Sequence, residues 1–188
     1  MVAETQMASE RSPSAIVEDQ SSTQEHRLCL LRHAKSSWKY TALSDHDRPL
    51  NGRGRRNASA LGHCLADDFD PLHLFVSSAT RAQETFSGLS SAWPGLTQTV
   101  EPALYTFDYR DLLHWISRQT AAQRVLGIIG HNPAFEDLAN YFLLDQPIQH
   151  LPTCGWLVID IAIDSWQGVT DAQGLGTLID QRAPKTHL

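Results

Sequence analysis

The sequence predicts an α/β fold: a three-layer sandwich with a mainly parallel central sheet, flanked by helices and without large insertions. Three observations lead there. Short, continuously apolar runs alternate along the chain with stripes of helical period, the pattern of strands buried on both faces and joined by crossover helices. Most of these runs stop abruptly at charged or turn-forming residues. At 188 residues, 41% of them apolar, the chain has room for one core and hardly for two.

The first run is Leu28-Cys29-Leu30-Leu31, ending in Arg32-His33. It shows no polar alternation, so it reads as a strand covered on both sides. Residues 34–52 are polar and irregular, broken by Asp45, Pro49, Asn51 and Gly52. Ala58, Leu61 and Leu65 then form a helical stripe, and Leu72 to Val76 a second strand closed by Ser77-Ser78. Thr80 and Gln83 stand in capping-box spacing, which predicts a helix starting there. Its apolar stripe is Ala82, Phe86, Leu89 and Trp93, and Pro94-Gly95 ends it. Residues 97–100 predict a short strand, and Leu112, Leu113 and Ile116 another helix. Val125 to Ile129 is a strand ending in Gly130-His131. Asn132 is a natural N-cap with Pro133 as first helical residue, and Phe135, Leu138 and Phe142 give that helix its apolar face. Trp156 to Ile163 and Gly176 to Ile179 complete the strands.

Residues 1–26 are rich in Ser, Thr, Gln and Glu and have no apolar run, which predicts a disordered tail before a single domain over 27–188. The tail lacks the apolar core of a secretory signal. Its Glu4, Glu10, Glu18, Asp19 and Glu25 do not suit a transit peptide. No window has the length of a membrane span, so a cytoplasmic protein is expected. Cys29, Cys64 and Cys154 are too scattered for a disulfide framework or a zinc pattern and read as buried free thiols.

The net charge of −6 argues against nucleic acid and against an anionic membrane as partners. The charge is uneven. Residues 32–56 carry seven bases against two acids, a local +5, which leaves −11 for the rest. One positive stretch in an acidic chain suggests a small anionic ligand.

In parallel sheets ligands bind at the carboxyl ends of the strands. Arg32 and His33 follow the first strand, Arg81 lies just past the second, and His131 follows the fourth. Two Arg and two His on one rim suit a phosphoryl group, whose oxygens match the guanidinium fork. Arg32 and Arg81 are candidates to clamp it, and His33 to attack phosphorus through a neutral imidazole. His131 is a candidate donor to an equatorial oxygen, and the helix starts after Ser78 and Asn132 offer backbone N–H groups. Taken singly, each motif has a plainer reading: a solvated loop, a helix cap, a strand-to-helix turn. Their shared register is what argues for a site. The histidines at 26, 46, 63, 73, 114, 150 and 187 lack such placement and read as surface or satisfied core residues.

These motifs resemble a known family. Leu30-Leu31-Arg32-His33-Ala34-Lys35-Ser36 is similar to the Arg-His signature of the histidine phosphatase superfamily. Asp45-His46-Asp47-Arg48-Pro49-Leu50-Asn51 resembles the following segment of its small phosphohistidine phosphatases, the SixA-like branch. Ser77-Ser78-Ala79-Thr80-Arg81-Ala82-Gln83-Glu84-Thr85 resembles the second phosphate-binding arginine turn, and Gly130-His131-Asn132-Pro133 the second-histidine turn. Thr153 to Asp160 and Ala183-Pro184-Lys185 also resemble this branch, so the likeness runs from about Leu28 to Lys185. It implies a phosphoglycerate mutase-like fold and a phosphohistidine intermediate on His33. Arg32, Arg81 and His131 would bind phosphate, and no metal or cofactor would be required.

The general acid is less clearly marked. Larger relatives keep a carboxylic acid after the third strand. Here the region reads Val100-Glu101-Pro102-Ala103-Leu104-Tyr105, with Ala103 at that place and Glu101 near it. Asp45 is the other candidate, and for both a solvated loop carboxylate is an equal alternative. A weak acid slot favours phosphohistidine, whose imidazole leaves readily once protonated, over a phosphate monoester. Arg48 and Arg53 are expected to bind substrate, whereas Arg55 and Arg56 read as a solvated helical face, and Trp38 and Tyr40 as surface packing. The expected partner is a phosphorylated substrate, with a phosphohistidine protein as one form of it, acted on by a monomer. The alternatives are a phosphatase of small phosphate esters and a non-catalytic phosphate-binding regulatory module. Zinc spacing and a Gly-x-Ser-x-Gly nucleophile are missing, and Gly52-Arg53-Gly54 and Gly174-Leu175-Gly176 are only fragments of a dinucleotide loop.

Overall fold

The apolar run at Leu28 lies at the heart of the sheet. The structure is a computed structural model that describes residues 25–184, so residues 1–24 of the expected tail, and Lys185 at the other end, lie outside the described residues. Strand β1 (His26–Arg32) pairs with β4 (Val125–Gly130) in parallel and with β5 (Trp156–Ile161) antiparallel. β2 (His73–Ser77) joins β4, and β3 (Thr97–Glu101) joins β2, both in parallel. β6 (Gly176–Arg182) closes the far edge antiparallel to β5. The order β3-β2-β4-β1-β5-β6 is a mixed sheet in which β5 alone runs against the others.

Alternate residues of β1 feed two separate apolar layers, as a doubly covered strand must. Leu28 and Leu30 pack with α3 (Tyr109–Ile116), α4 (Ala134–Phe142) and Trp166. Cys29 and Leu31 pack with α1 (Gly52–Ala66) and α2 (Thr80–Ser90). Sheet and helices thus make the three layers expected. His26, placed in the tail by the composition, belongs to β1 and is fully buried, its Nδ1 2.8 Å from Ile163 O.

One contact sets the distance between α1 and the loop after β1. A Cβ at Gly54 would lie 2.3 Å from Lys35 O, so only glycine lets the first turn of α1 approach that backbone. Asn51 caps the helix through Oδ1, which accepts from Gly54 N at 2.8 Å, and its own N–H donates to Lys35 O at 2.9 Å.

Several local expectations shift. The capping box does not form: Ala79 is the cap of α2, Thr80 is already helical, and Gln83 Nε2 reaches back to Ser78 O at 2.7 Å. α4 begins one residue late, at Ala134, after a cis Asn132-Pro133 bond. Asn132 does not cap it: Pro133 holds the cap position, the Asn132 Oδ1 is buried without a partner among the described residues, and its Nδ2 donates to Leu151 O at 3.1 Å. β5 stops at Ile161 where Ile163 N turns back to Ile161 O, and β6 runs on to Arg182. Cys29 and Cys154 are buried free thiols, but Cys64 is exposed beside Arg182. Among the described residues no helix is long and apolar enough to cross a membrane.

Candidate active site

β1, β2 and β4 run in one direction with Arg32 level with Gly130 and Val76 level with Ile129, so their carboxyl ends form one rim. His33, Arg81 and His131 leave that rim within mutual reach. His33 Nδ1 lies 2.8 Å from Ala34 O. A carbonyl accepts, so the proton sits on Nδ1 and the lone pair on Nε2. Nε2 takes a hydrogen bond from Arg81 Nε at 3.2 Å. The backbone around it is pinned: His33 N donates to Gly130 O, and Ala34 N to Thr85 Oγ1, which itself donates to Arg81 O.

Arg81 is buried to 2% exposure at the start of α2, and its guanidinium serves several partners. Nη2 stands 3.3 Å from His131 Nδ1 and donates to Asp45 Oδ2 at 2.9 Å, and Nη1 donates to Asp45 O. His131 Nε2 is 2.8 Å from Ser77 Oγ, and the two imidazoles lie 5.1 Å apart, centre to centre. Burial, reinforced by the charges of Arg81, Arg32 and Arg48 against the opposing Ala34 hydrogen bond, lowers the His33 pKa to about 4. Burial, His33 and Arg81 lower that of His131 as well. Both rings are neutral near pH 7.

Arg32 joins from β1, where Nη1 donates to Leu151 O at 2.6 Å while its Nε is buried without a partner among the described residues. Asp45 joins from the loop after β1. Burial raises its pKa, but the Tyr105 hydroxyl at 2.9 Å and the positive charges of Arg81 and Arg48 prevail and hold it below the usual carboxylate range. Arg48 pairs with Asp45 Oδ1 at 3.2 Å and donates to Ser36 Oγ.

Two candidate residues stay apart from this cluster. Glu101 ends β3, but its carboxylate caps the next turn by accepting from Ala103 N at 3.1 Å. Arg53 sits exposed in the first turn of α1, with no hydrogen bond or ion pair among the described residues. Of the backbone N–H groups expected at the start of α2, that of Thr80 is engaged, since it donates to His46 O.

Three site residues had no reading as such in the sequence. His46 Nε2 lies 2.9 Å from Ser78 Oγ, Tyr105 binds Asp45, and Phe107 packs on His131 with ring centres 5.5 Å apart. His46 stands inside the Asp45–Asn51 motif and Tyr105 at the end of the acid region, so position within those segments was the available signal.

Comparison with known proteins identifies the family. The model of the histidine phosphatase superfamily (branch 1) matches residues 28–125. An uncharacterized chloroplastic protein of Arabidopsis thaliana is 28% identical over 177 residues, spanning 88% of this chain and 80% of that protein. A candidate phosphohistidine phosphatase SixA of Agrobacterium tumefaciens is 29% identical with a TM-score of 0.68, over 85% of this chain and 98% of the other. The protein histidine phosphatase SixA complexed with tungstate superposes with a TM-score of 0.68 at 19% identity, over 84% and 97%, a likeness of fold.

Proposed function

The chain belongs to the histidine phosphatase superfamily, in its SixA-like branch, and is a phosphatase by that membership; from this premise we propose that it removes phosphate from phosphohistidine through a phosphohistidine intermediate on His33. One observation carries the reading: the neutral Nε2 of His33 is aimed into a cluster of Arg81, Arg32 and His131. A phosphoryl group placed there would exchange its oxygens for the present contacts of Arg81.

Nε2 bonds to phosphorus as the P–N bond to the leaving imidazole breaks, and that imidazole takes up a proton. Water then attacks phosphorus as the bond to His33 Nε2 breaks, its proton returns to the Asp45 carboxylate that protonated the leaving ring, and inorganic phosphate departs with His33 restored. The guanidinium groups hold the charge on the transferring oxygens throughout. Asp45 is a poor acid while Arg81 holds it ionised. A bound dianion competes for Arg81 and repels the carboxylate, which favours its protonation and makes it a proton source for the leaving ring.

The test is dephosphorylation of phosphohistidine by wild type and His33→Ala, with a sugar phosphate as control. The expected outcome is base-stable, acid-labile labelling of His33 and loss of at least about a thousandfold in turnover in the variant. Undiminished turnover by His33→Ala sinks the mechanism, and faster turnover of the sugar phosphate moves the substrate to phosphate esters. Phosphate binding with no turnover of any substrate would leave the regulatory module.

A further inference from the structure

We propose that the exposed loop beside this site is a docking shelf for the polypeptide that bears the phosphoryl group, an acidic segment with an apolar side chain near the phosphorylated residue. This deepens the phosphatase reading and rests on it. The loop leaves β1, is closed by the bridge between Ser36 and Leu50, and exposes Trp38 by 72%, Tyr40 by 59% and Leu43 by 42%. The large apolar residues exposed elsewhere in the described chain, such as Val125 on β4, Leu144 after α4 and Ile179 on β6, are spread along the sequence. Three within six residues make a patch, and patches of this kind mark contact surfaces.

The shelf is continuous with the catalytic cluster. Trp38, Tyr40, Thr41 and Leu43 share a groove of about 480 Å³ with Asp45 and Arg48. The Arg48 guanidinium lies 3.6 Å from the centre of the Trp38 ring and also binds Asp45, which binds Arg81. The ring is therefore held in place by the same network that receives phosphate, a preorganised anchor rather than a loose side chain. An orthophosphate-sized ligand reaches Arg81 and His33 and leaves the shelf uncovered; a polypeptide around the phosphorylated residue covers both.

Charge selects an acidic partner. Lys39, within the loop between Trp38 and Tyr40, and Lys35 before it are exposed and without ion pairs among the described residues. The rest of the chain outside residues 32–56 carries −11. An acidic segment is attracted to this mouth and repelled elsewhere, which favours one orientation. The same overall charge disfavours an anionic membrane as the occupant.

Two synthetic phosphohistidine peptides of equal length test this, one with acidic flanks and a nearby Leu, the other with basic flanks and Gly. Wild type is expected to show kcat/KM about tenfold higher on the acidic peptide. In Tyr40→Ser/Leu43→Ser, the ratio of kcat/KM for the acidic peptide over free phosphohistidine should fall about five- to tenfold. Ile179→Ser, on β6, should leave that ratio as it is. A second readout is independent of turnover. Trp93, Trp115, Trp156 and Trp166 are at most 9% exposed, so acrylamide quenching reports Trp38. Binding of the acidic peptide to His33→Ala should reduce quenching, whereas orthovanadate should not. Equal ratios in wild type and shelf variant, with unprotected Trp38, overturn the shelf. So does loss of binding to phosphatidylserine vesicles in the shelf variant with the peptide ratio intact. Failure of wild type to turn over phosphohistidine either free or in the peptides overturns the parent reading instead, and the quenching result stands apart from it.

Discussion

His33 owes its chemistry to where its proton is held. Ala34 O fixes the proton on Nδ1, and burial with three nearby arginines keeps Nε2 unprotonated near neutrality. His131 has a more adjustable partner. The Ser77 hydroxyl can accept from or donate to Nε2, so the tautomer follows whatever faces Nδ1. In the free site that is Arg81; in the proposed mechanism a phosphate oxygen takes its place and the ring turns donor. Asp45 holds the Arg81 guanidinium that the proposed mechanism assigns to phosphate, so the two would compete for it. Asp45→Asn removes the competing charge and a proton source together. It should tighten orthovanadate binding roughly threefold to tenfold while slowing phosphohistidine turnover at saturation, given the worth of a half-exposed ion pair. Calorimetry for the first and single-turnover kinetics for the second separate the two roles; weaker vanadate binding would refute the competition.

At the scale of elements, α4 does more than cover the sheet. Its first turn carries Glu136, whose Oε1 accepts from Leu151 N at 2.7 Å and pairs with His150 at 2.9 Å. Leu151 O in turn accepts from Arg32 Nη1 and Asn132 Nδ2. Glu136 is thus a positioning residue for Arg32, acting through the backbone of the one residue Leu151. Glu136→Ala should raise KM for phosphohistidine about three- to tenfold with kcat within twofold. Glu136→Gln keeps an oxygen acceptor for Leu151 N and should recover most of the loss. A fall in kcat alone, or no recovery by Gln, would show that α4 acts otherwise. The elements themselves were legible because their signals are local: the period of Ala82, Phe86 and Leu89 marks α2, and the unbroken apolar run marks β1. The start of α2 at Thr80 was legible too, but the cap of α4 was not, because Pro133 takes the cap position and the Asn132 side chain is drawn across the turn to Leu151 O.

Across the whole molecule, the site is held neutral at a cost that depends on pH. His33, with a pKa of about 4, and His131, also lowered, stay unprotonated where an unfolded chain would take up protons below about 6.5. Their contribution to stability is complete above that value and is lost as pH falls toward 4. The melting temperature should therefore drop between pH 6.5 and 4, and drop less in His33→Gln/His131→Gln; equal slopes in a thermal scan would contradict the assignment. The acidic body and basic mouth were both readable as charge per segment. Sequence by itself determined the kind and order of the elements and the arrival of Arg32, His33, Arg81 and His131 at strand ends, because periodicity and strand polarity are properties of neighbouring residues. The tertiary structure alone decided which carboxylate meets Arg81. Asp45, 36 positions away, reaches it while Glu101 turns back on its own backbone. Tyr105 enters the same contact from 60 positions away, and Arg53 stays outside. Such pairings depend on how loops close over a finished sheet, and no local pattern encodes that distance.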